Sequence, residues 1–496
     1  MRKIPISKEN VQLTLGESIL PLIFFLGLLI YGLFLHSLIT GESGLPLEVL
    51  ILIAISFSSI YYMYKGFSWD TIQGHITSKV GESVPVIMIL FCIGVLIGSW
   101  IISGTIPMLI YYGISVINGQ WIYLFAFLIC IVFSLLTGTS WGSAGTIGVV
   151  MMGIAQVYEA DLAITAAAVV GGSFFGDKMS PLSDTTNIAS LATDVFVFDH
   201  IKSMVYTTGP AAILAIIGYV ILCFTHGVET DGSDKLESIA ITLDAIDSIF
   251  NFNILLLLPL GVVLWGSISK KPIVLTLLVS SWVAILLALV FQDFSFRDVM
   301  VACKSGFSAD MTFVELPPGA DVINILNRGG LYNLIEGIVI SLLIFAFIGS
   351  LDTAQAIQKA IDASLSKIQK KTSLMVSALT ATLFTNLTTS NQYATSFIIG
   401  AAFKEKFDQM NIKRKVLSRS IEDAGTMMEN LMPWTPSGIF MANTLGIAAL
   451  DYAGWQILSL CNIVIAYFFA FTGIACFLNE KSNDDDHNKK ETSYAE

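Results

Sequence analysis

Long apolar runs separated by short polar segments set the pattern of this chain. The runs Ile19 to Leu38, Val49 to Tyr64, Val84 to Ser103, Trp121 to Leu136, Ala211 to Phe224, Ile254 to Ile268, Ile273 to Phe291, Ile338 to Leu351 and Ile457 to Leu478 stand out. Each approaches or reaches the roughly 20 residues that a helix needs to cross the hydrocarbon core of a bilayer. They predict nine transmembrane helices, and weaker apolar segments raise the expectation to about eleven to thirteen when half-spans are counted. The first run is too long for a secretory core, and no small-residue cleavage site follows it, so it is expected to remain as a helix.

Polar residues break this pattern in ways that recur. Ile97-Gly98-Ser99 returns as Ile348-Gly349-Ser350, Thr139-Ser140 as Thr389-Ser390, and Pro181 as Pro433, at separations of 251, 250 and 252 positions. Three landmarks in one order at one offset indicate a duplicated unit. Loop charges then give the relative orientation of the copies, because Lys and Arg concentrate on the cytoplasmic side of membrane helices. The segment 105–120 has no Lys or Arg, whereas its counterpart 353–372 has Lys359, Lys367, Lys370 and Lys371. Likewise 158–161 has none, whereas 403–419 carries Lys404, Lys406, Lys413, Arg414, Lys415 and Arg419. With Arg2, Lys3 and Lys8 marking a cytoplasmic N-terminus, equivalent loops fall on opposite faces. The expected organisation is a first repeat over 1–227, an acidic extracytoplasmic loop over 228–250, an inverted second repeat over 251–478, and a polar, disordered tail over 479–496.

Composition agrees with a membrane protein. Hydrophobic residues make up 54% of the 496, only 13% are charged, and mean hydropathy is +0.75, against about 25% charged in soluble domains. The net charge of −12 comes largely from loops and the tail, so it does not argue for a nucleic-acid partner. Cysteines and histidines are scattered without metal-binding spacing, so neither a metal centre nor a cofactor is expected. An intramembrane aspartyl protease would pair Tyr-Asp with Gly-x-Gly-Asp; neither occurs, and 173–177 reads Ser-Phe-Phe-Gly-Asp. The chain is not expected to be an enzyme.

The polar interruptions hold the candidate chemistry. Residues 137–146, TGTSWGSAGT, place three glycines and five hydroxyls inside an apolar region, where each glycine costs a helix about 1 kcal/mol relative to alanine. The segment reads as the tip of a re-entrant hairpin or as a break between half-helices; close helix packing through small residues is the competing explanation. Residues 176–190, GDKMSPLSDTTNIAS, follow. Ser180-Pro181 marks an unwound segment, and charges at membrane depth usually face a cavity. Asp177 and Asp184 are the candidate ion or proton carriers unless the segment is a solvated loop, and Lys178 is either their counter-charge or a snorkelling side chain. In the second half, residues 385–392 form the matching tip; Glu422, Asp423 and Glu429, with Pro433 to Gly438, form the matching broken helix. The offset sets Glu429 opposite Asp177. Competition of Na+ and protons for such carboxylates suffices for antiport. Glu336 falls opposite Pro85 and near Glu82, and receives no role.

These motifs resemble the NhaC family of Na+/H+ antiporters within the ion transporter superfamily. The likeness rests on Ile97-Gly98-Ser99-Trp100 to Pro107, TGTSWGSAGTIG, GDKMSPLSDTTNIA, Asn327-Arg328-Gly329-Gly330, and LSRSIEDAG with Pro433-Trp434. It implies an all-α polytopic membrane protein with two inverted repeats, re-entrant hairpins and broken helices. It also implies Na+ and H+ as cargo, lipid as surroundings, and by analogy a homodimer in the cell membrane. Around Glu429 the chain departs from a Ser-Pro-Leu-Ile-Pro-Trp-Asn-Thr pattern, and the likeness extends to exchangers of malate and lactate and to amino-acid carriers, so a small organic substrate is the alternative. The expected ion and proton site comprises Asp177 and Asp184 as titrating ligands. Thr139, Ser140, Ser183, Thr185, Asn187, Thr389, Ser390 and Asn391 would supply neutral oxygens, with Glu422, Asp423 and Glu429 contributing from the second half.

Overall fold

The computed structural model describes residues 11–477 apart from positions 12, 43, 229–232, 313, 315–324 and 366–367, and every regular element among the described residues is a helix. The predicted tail 479–496 and the basic residues Arg2, Lys3 and Lys8 lie outside the described residues. In the first half the helices are α1 (Leu15–Leu29, prolonged through a π turn to Thr40), α2 (Leu47–Tyr64), α3 (Trp69–Glu82), α4 (Val84–Ile102), α5 (Thr105–Val116), α6 (Ile122–Thr137), α7 (Ser140–Ser143), α8 (Val149–Val157), α9 (Leu162–Met179), α10 (Asp184–Ala192) and α11 (Val197–Thr225). The second half continues with α12 (Ser233–Ile249), α13 (Leu258–Ile268), α14 (Ile273–Phe291), α15 (Phe296–Ser305), α16 (Ile335–Asp352), α17 (Ala356–Leu365), α18 (Lys371–Thr389), α19 (Gln392–Gln409), α20 (Arg414–Ile421), α21 (Met427–Glu429), α22 (Pro436–Leu445), α23 (Ala449–Ala453) and α24 (Ile457–Thr472).

Seven helical segments among the described residues are long and apolar enough to span a bilayer, and eight if one bent pair is counted. Two of the nine predicted spans differ. The run 254–268 joins helix 237–249 at a 100° bend, so it qualifies only as half of that pair. The run from Ile457 yields a 16-residue helix, because Gly473 turns left-handed at φ 77° and ends it.

Small residues decide how the helices meet. A Cβ at Gly172 would collide with the Phe127 carbonyl oxygen, and one at Gly176 with the Leu135 amide nitrogen, so α9 lies directly against α6. Gly98 and Gly94 of α4 do the same for the loop at Gly329 and Gly330, whose Gly330 amide donates to the Gly94 carbonyl at 2.7 Å. Two sequence motifs far apart in the chain are thereby one packing contact. Arg328 beside it donates from Nη2 to Gln156 Oε1 at 2.8 Å.

Contacts at the helix ends give the direction of the two broken helices. The N-terminal end of α9 binds Tyr123 through the Asp161 amide, and Tyr123 in turn donates to the His226 carbonyl. Beyond α10 the chain reaches Asp194, which pairs with Lys404 and Arg414. Arg414 opens α20, so α20 starts on the face where α10 finishes. Beyond α22 the chain arrives at Trp455, whose ring lies 5.5 Å from that of His226. The two broken helices run antiparallel. Glu336 is exposed in the first turn of α16, where an acid complements the helix dipole.

Candidate functional site

Each half builds one tip and one break. After α6 the chain turns through Gly138 in the left-handed region (φ 69°), and Thr139 caps α7 by accepting from the Gly142 amide at 3.3 Å. After α18 it turns through Ser390, also left-handed (φ 47°), and Asn391 caps α19 by accepting from the Ala394 amide at 3.0 Å. Gly138 and Ser390 are 252 positions apart, as are Thr139 and Asn391. A Cβ at Gly138 would lie 2.6 Å from the Leu182 Cβ, so the first tip abuts the first break. Both halves also carry a π turn, Ala144–Gly148 and Glu422–Thr426, a distortion that loosens the helical ladder and is frequent at functional sites.

The breaks follow from proline. α9 ends at Met179 before Ser180-Pro181, and the second helix ends at Glu429, ahead of Pro433. Thr435 restarts the helix as the cap of α22, accepting from the Gly438 amide at 3.2 Å, and its hydroxyl also donates to the Glu429 carbonyl. Ser183 holds the corresponding place before α10 but makes no cap bond. Its hydroxyl donates instead to Asp177 Oδ1 at 2.5 Å, while Ser140 from the tip donates to Oδ2 at 2.6 Å. One carboxylate therefore bridges tip and break.

A cavity of about 680 Å³ opens beside it. Of the sequence-predicted residues, Asp177, Asp184, Thr139, Ser140, Thr185, Asn187, Ser390, Asn391 and Glu429 line this space. Asp177 is 6% exposed and Glu429 7%, whereas Asp184, in the first turn of α10, is open to the cavity. Ser437 lines the cavity together with Glu429, and Asn386 donates to Gln392 Oε1 of the same lining. The Ser390 hydroxyl is buried without a partner.

Other predicted residues stand outside the lining. Ser183 is behind it, bound to Asp177, and Thr389 is turned towards Thr395, with the two hydroxyls 2.9 Å apart. Glu422 is fully buried and accepts from Thr426 at 2.6 Å; Thr426 lines the cavity, Glu422 does not. Asp423 and Lys178 are ion-paired with each other away from the cavity. Lys178 thus faces neither Asp177 nor solvent.

Several lining residues escaped the sequence reading. Trp141 stacks on Phe440 at 4.3 Å between ring centres and donates to Ser437 at 3.4 Å, so the first tip touches the second broken helix. Tyr393 is its counterpart at the 252-residue offset, and Gln392 that of Ser140. The sequence match of Thr139-Ser140 with Thr389-Ser390 uses an offset of 250, which sets Ser140 against Ser390 and passes over both residues. The cavity extends to Glu82, Lys270 and Lys271 at one end. Among the described residues no cluster of metal-ligating side chains occurs.

A polytopic, all-helical chain with broken helices around an acid-lined cavity is a membrane transporter. Residues 172–474 match the Na+/H+ antiporter family. Over 460 residues the chain is 37% identical to an uncharacterized Na+/H+ antiporter of Haemophilus influenzae, covering 92% of this chain and 96% of the relative. It is 32% identical over 465 residues to the Na+/H+ antiporter NhaC of Alkalihalophilus pseudofirmus, covering 93% and 96%. It is also 29% identical over 456 residues to the malate-2H+/Na+-lactate antiporter of Bacillus subtilis, covering 92% and 95%. The chain belongs to the Na+/H+ antiporter family and is a multi-pass membrane protein that exchanges sodium for protons.

Proposed function

We propose that Na+ and H+ compete for one site where Asp177 and Glu429 converge from two inverted halves. The observation that carries this is the bridging of Asp177 by Ser140 and Ser183 beside the cavity that Glu429 also lines. When Na+ occupies the site, the carboxylates neutralise it, and hydroxyl and carboxamide oxygens from Thr139, Ser140, Ser390 and Asn391 replace part of its hydration shell. When Na+ leaves, protons neutralise the acids. One carrier then holds either cargo but not both, which is antiport.

The antiparallel course of the broken helices and the matched tip geometry support the inverted-repeat reading; the segment expected as an acidic loop between the halves is instead largely helical, as α12 occupies Ser233–Ile249. Basic loops around Lys404 and Arg414 assign that face, and with it the N-terminus, to the cytoplasm of the cell. The cavity, reaching Lys270 and Lys271, then opens inward.

Exchange of a small organic acid is the second reading, favoured by the likeness to the malate-2H+/Na+-lactate antiporter. The acids Asp177, Asp184 and Glu429 in the lining disfavour an organic anion, and Lys178 is committed to Asp423; Lys270 and Lys271 of the same lining are the cations such an anion would need.

Direct binding tests the proposal. Calorimetric titration of the purified protein with NaCl should give saturable binding that weakens as pH falls, and Asp177→Asn should remove it. Unchanged Na+ binding in that variant would reject Asp177 as a ligand.

A further inference from the structure

Three of the buried charged residues that do not line the cavity, Lys178, Asp423 and Arg419, meet in one cluster. The side chains of Lys178 and Asp423 are 0% and 1% exposed. Besides the ammonium, Asp423 Oδ1 accepts from Thr207 Oγ1 and Asn462 Nδ2, both at 3.0 Å. Asn462 Oδ1 accepts from Thr208 Oγ1 at 3.1 Å and from Lys178 Nζ at 3.3 Å. Arg419 Nε lies 3.8 Å from the other Asp423 oxygen. The cluster joins α9, α11, α24 and the π turn between α20 and α21.

Stability alone is a poor reason to keep such a pair. A buried ion pair can often be replaced by apolar residues at no loss of stability, and each charge costs about 2.5 to 3.5 kcal/mol at membrane depth on insertion scales. Position gives a better reason. Lys178 adjoins Asp177, and Asp423 lies in the π turn between Glu422 and cavity-lining Thr426, within two turns of Glu429. The pair ties the cavity end of the first broken helix to the helix that delivers the second acid.

We propose that Lys178, Asp423 and Asn462 are positioning residues that fix the separation of Asp177 from Glu429, and so set affinity for Na+ and discrimination against Li+ without touching the ion. This rests on the exchange site proposed above. It also assigns Asp423 a role other than ion ligand. Thr207 and Thr208 hold the cluster from α11.

The test compares Lys178→Met/Asp423→Leu, which replaces the pair by apolar residues, with Thr207→Val, which removes one hydroxyl. Thermal unfolding, Na+ and Li+ binding, and Na+- and Li+-driven proton flux in liposomes are measured on each. The paired variant should melt near the native temperature yet raise the KM for Na+ about tenfold or more, since misplacements of about 1 Å can cost a site two orders of magnitude. Its preference for Na+ over Li+ should shrink. Thr207→Val should move both quantities the same way by a smaller factor, and it carries the test if the paired variant does not fold. Native KM and ion preference in the folded variants would overturn the inference, leaving a structural pair. So would a folded paired variant that binds Na+ with native affinity but moves no protons, because the pair would then serve proton transfer and not the geometry of the site. Wild-type protein that binds Na+ without exchanging it for protons would instead defeat the exchange, while the binding data still judge the cluster.

Discussion

At Asp177 two serine hydroxyls converge on one carboxylate, from Ser140 on the tip and Ser183 on the break. Hydrogen bonds to a charged group contribute about 1.5 to 3 kcal/mol, so Ser140→Ala should weaken Na+ binding roughly tenfold or more, read as KM in flux assays. Asp184 was indistinguishable from Asp177 in the sequence, both being acids in one polar interruption. The structure separates them, one buried and one exposed in the first turn of α10. Asp184→Asn should therefore raise KM for Na+ several-fold and preserve exchange, whereas Asp177→Asn should abolish it. The acids were legible because a charge in an apolar run demands a reason. Tyr393, Gln392, Thr207 and Asn462 were not, since a neutral polar or aromatic residue in such a run has many bland uses. The partner of Lys178 lies 245 positions away, and no local pattern reports a pairing of that range.

The tips and breaks were legible as elements for a different reason: glycine, proline and hydroxyl residues resist a continuous helix wherever they occur. Their exact caps were not, because Thr139, Asn391 and Thr435 cap whereas Ser183 gives its hydroxyl to Asp177. Packing between elements makes a sharp prediction. Gly176→Val would force a side chain into the Leu135 backbone, and overpacking of this kind costs about 1 to 3 kcal/mol, so the melting temperature in detergent should fall clearly. At the link from α10 to α11, the hydrogen bond from Lys404, helped by Arg414, holds the Asp194 carboxyl below the usual range. A depressed carboxylate contributes stability that is present above its unfolded pKa and lost as pH falls through the folded one. Because the site is exposed, the amount is under about 1 kcal/mol. Asp194→Asn should lower the melting temperature slightly at neutral pH, and the difference should vanish in acid.

Over the whole molecule, charge bias and the 250-residue echo lead to the proposal of two inverted halves, which the opposite courses of the broken helices support. The count of full spans was less legible, because apolar length cannot distinguish a crossing helix from a bent or shortened one; 254–268 and the helix from Ile457 show this. None of the six cysteines lines the cavity. A cysteine placed at Tyr393 in a background lacking them should react with an impermeant thiol reagent from the Lys270 side, and Na+ should slow the reaction. The exchange itself is tested most directly in liposomes that hold the purified protein, a pH-sensitive dye and no organic solute. An imposed sodium gradient should drive protons the opposite way in the wild-type protein and not in Asp177→Asn. Proton movement that requires an added organic acid or amino acid, or that survives in Asp177→Asn, would contradict the account.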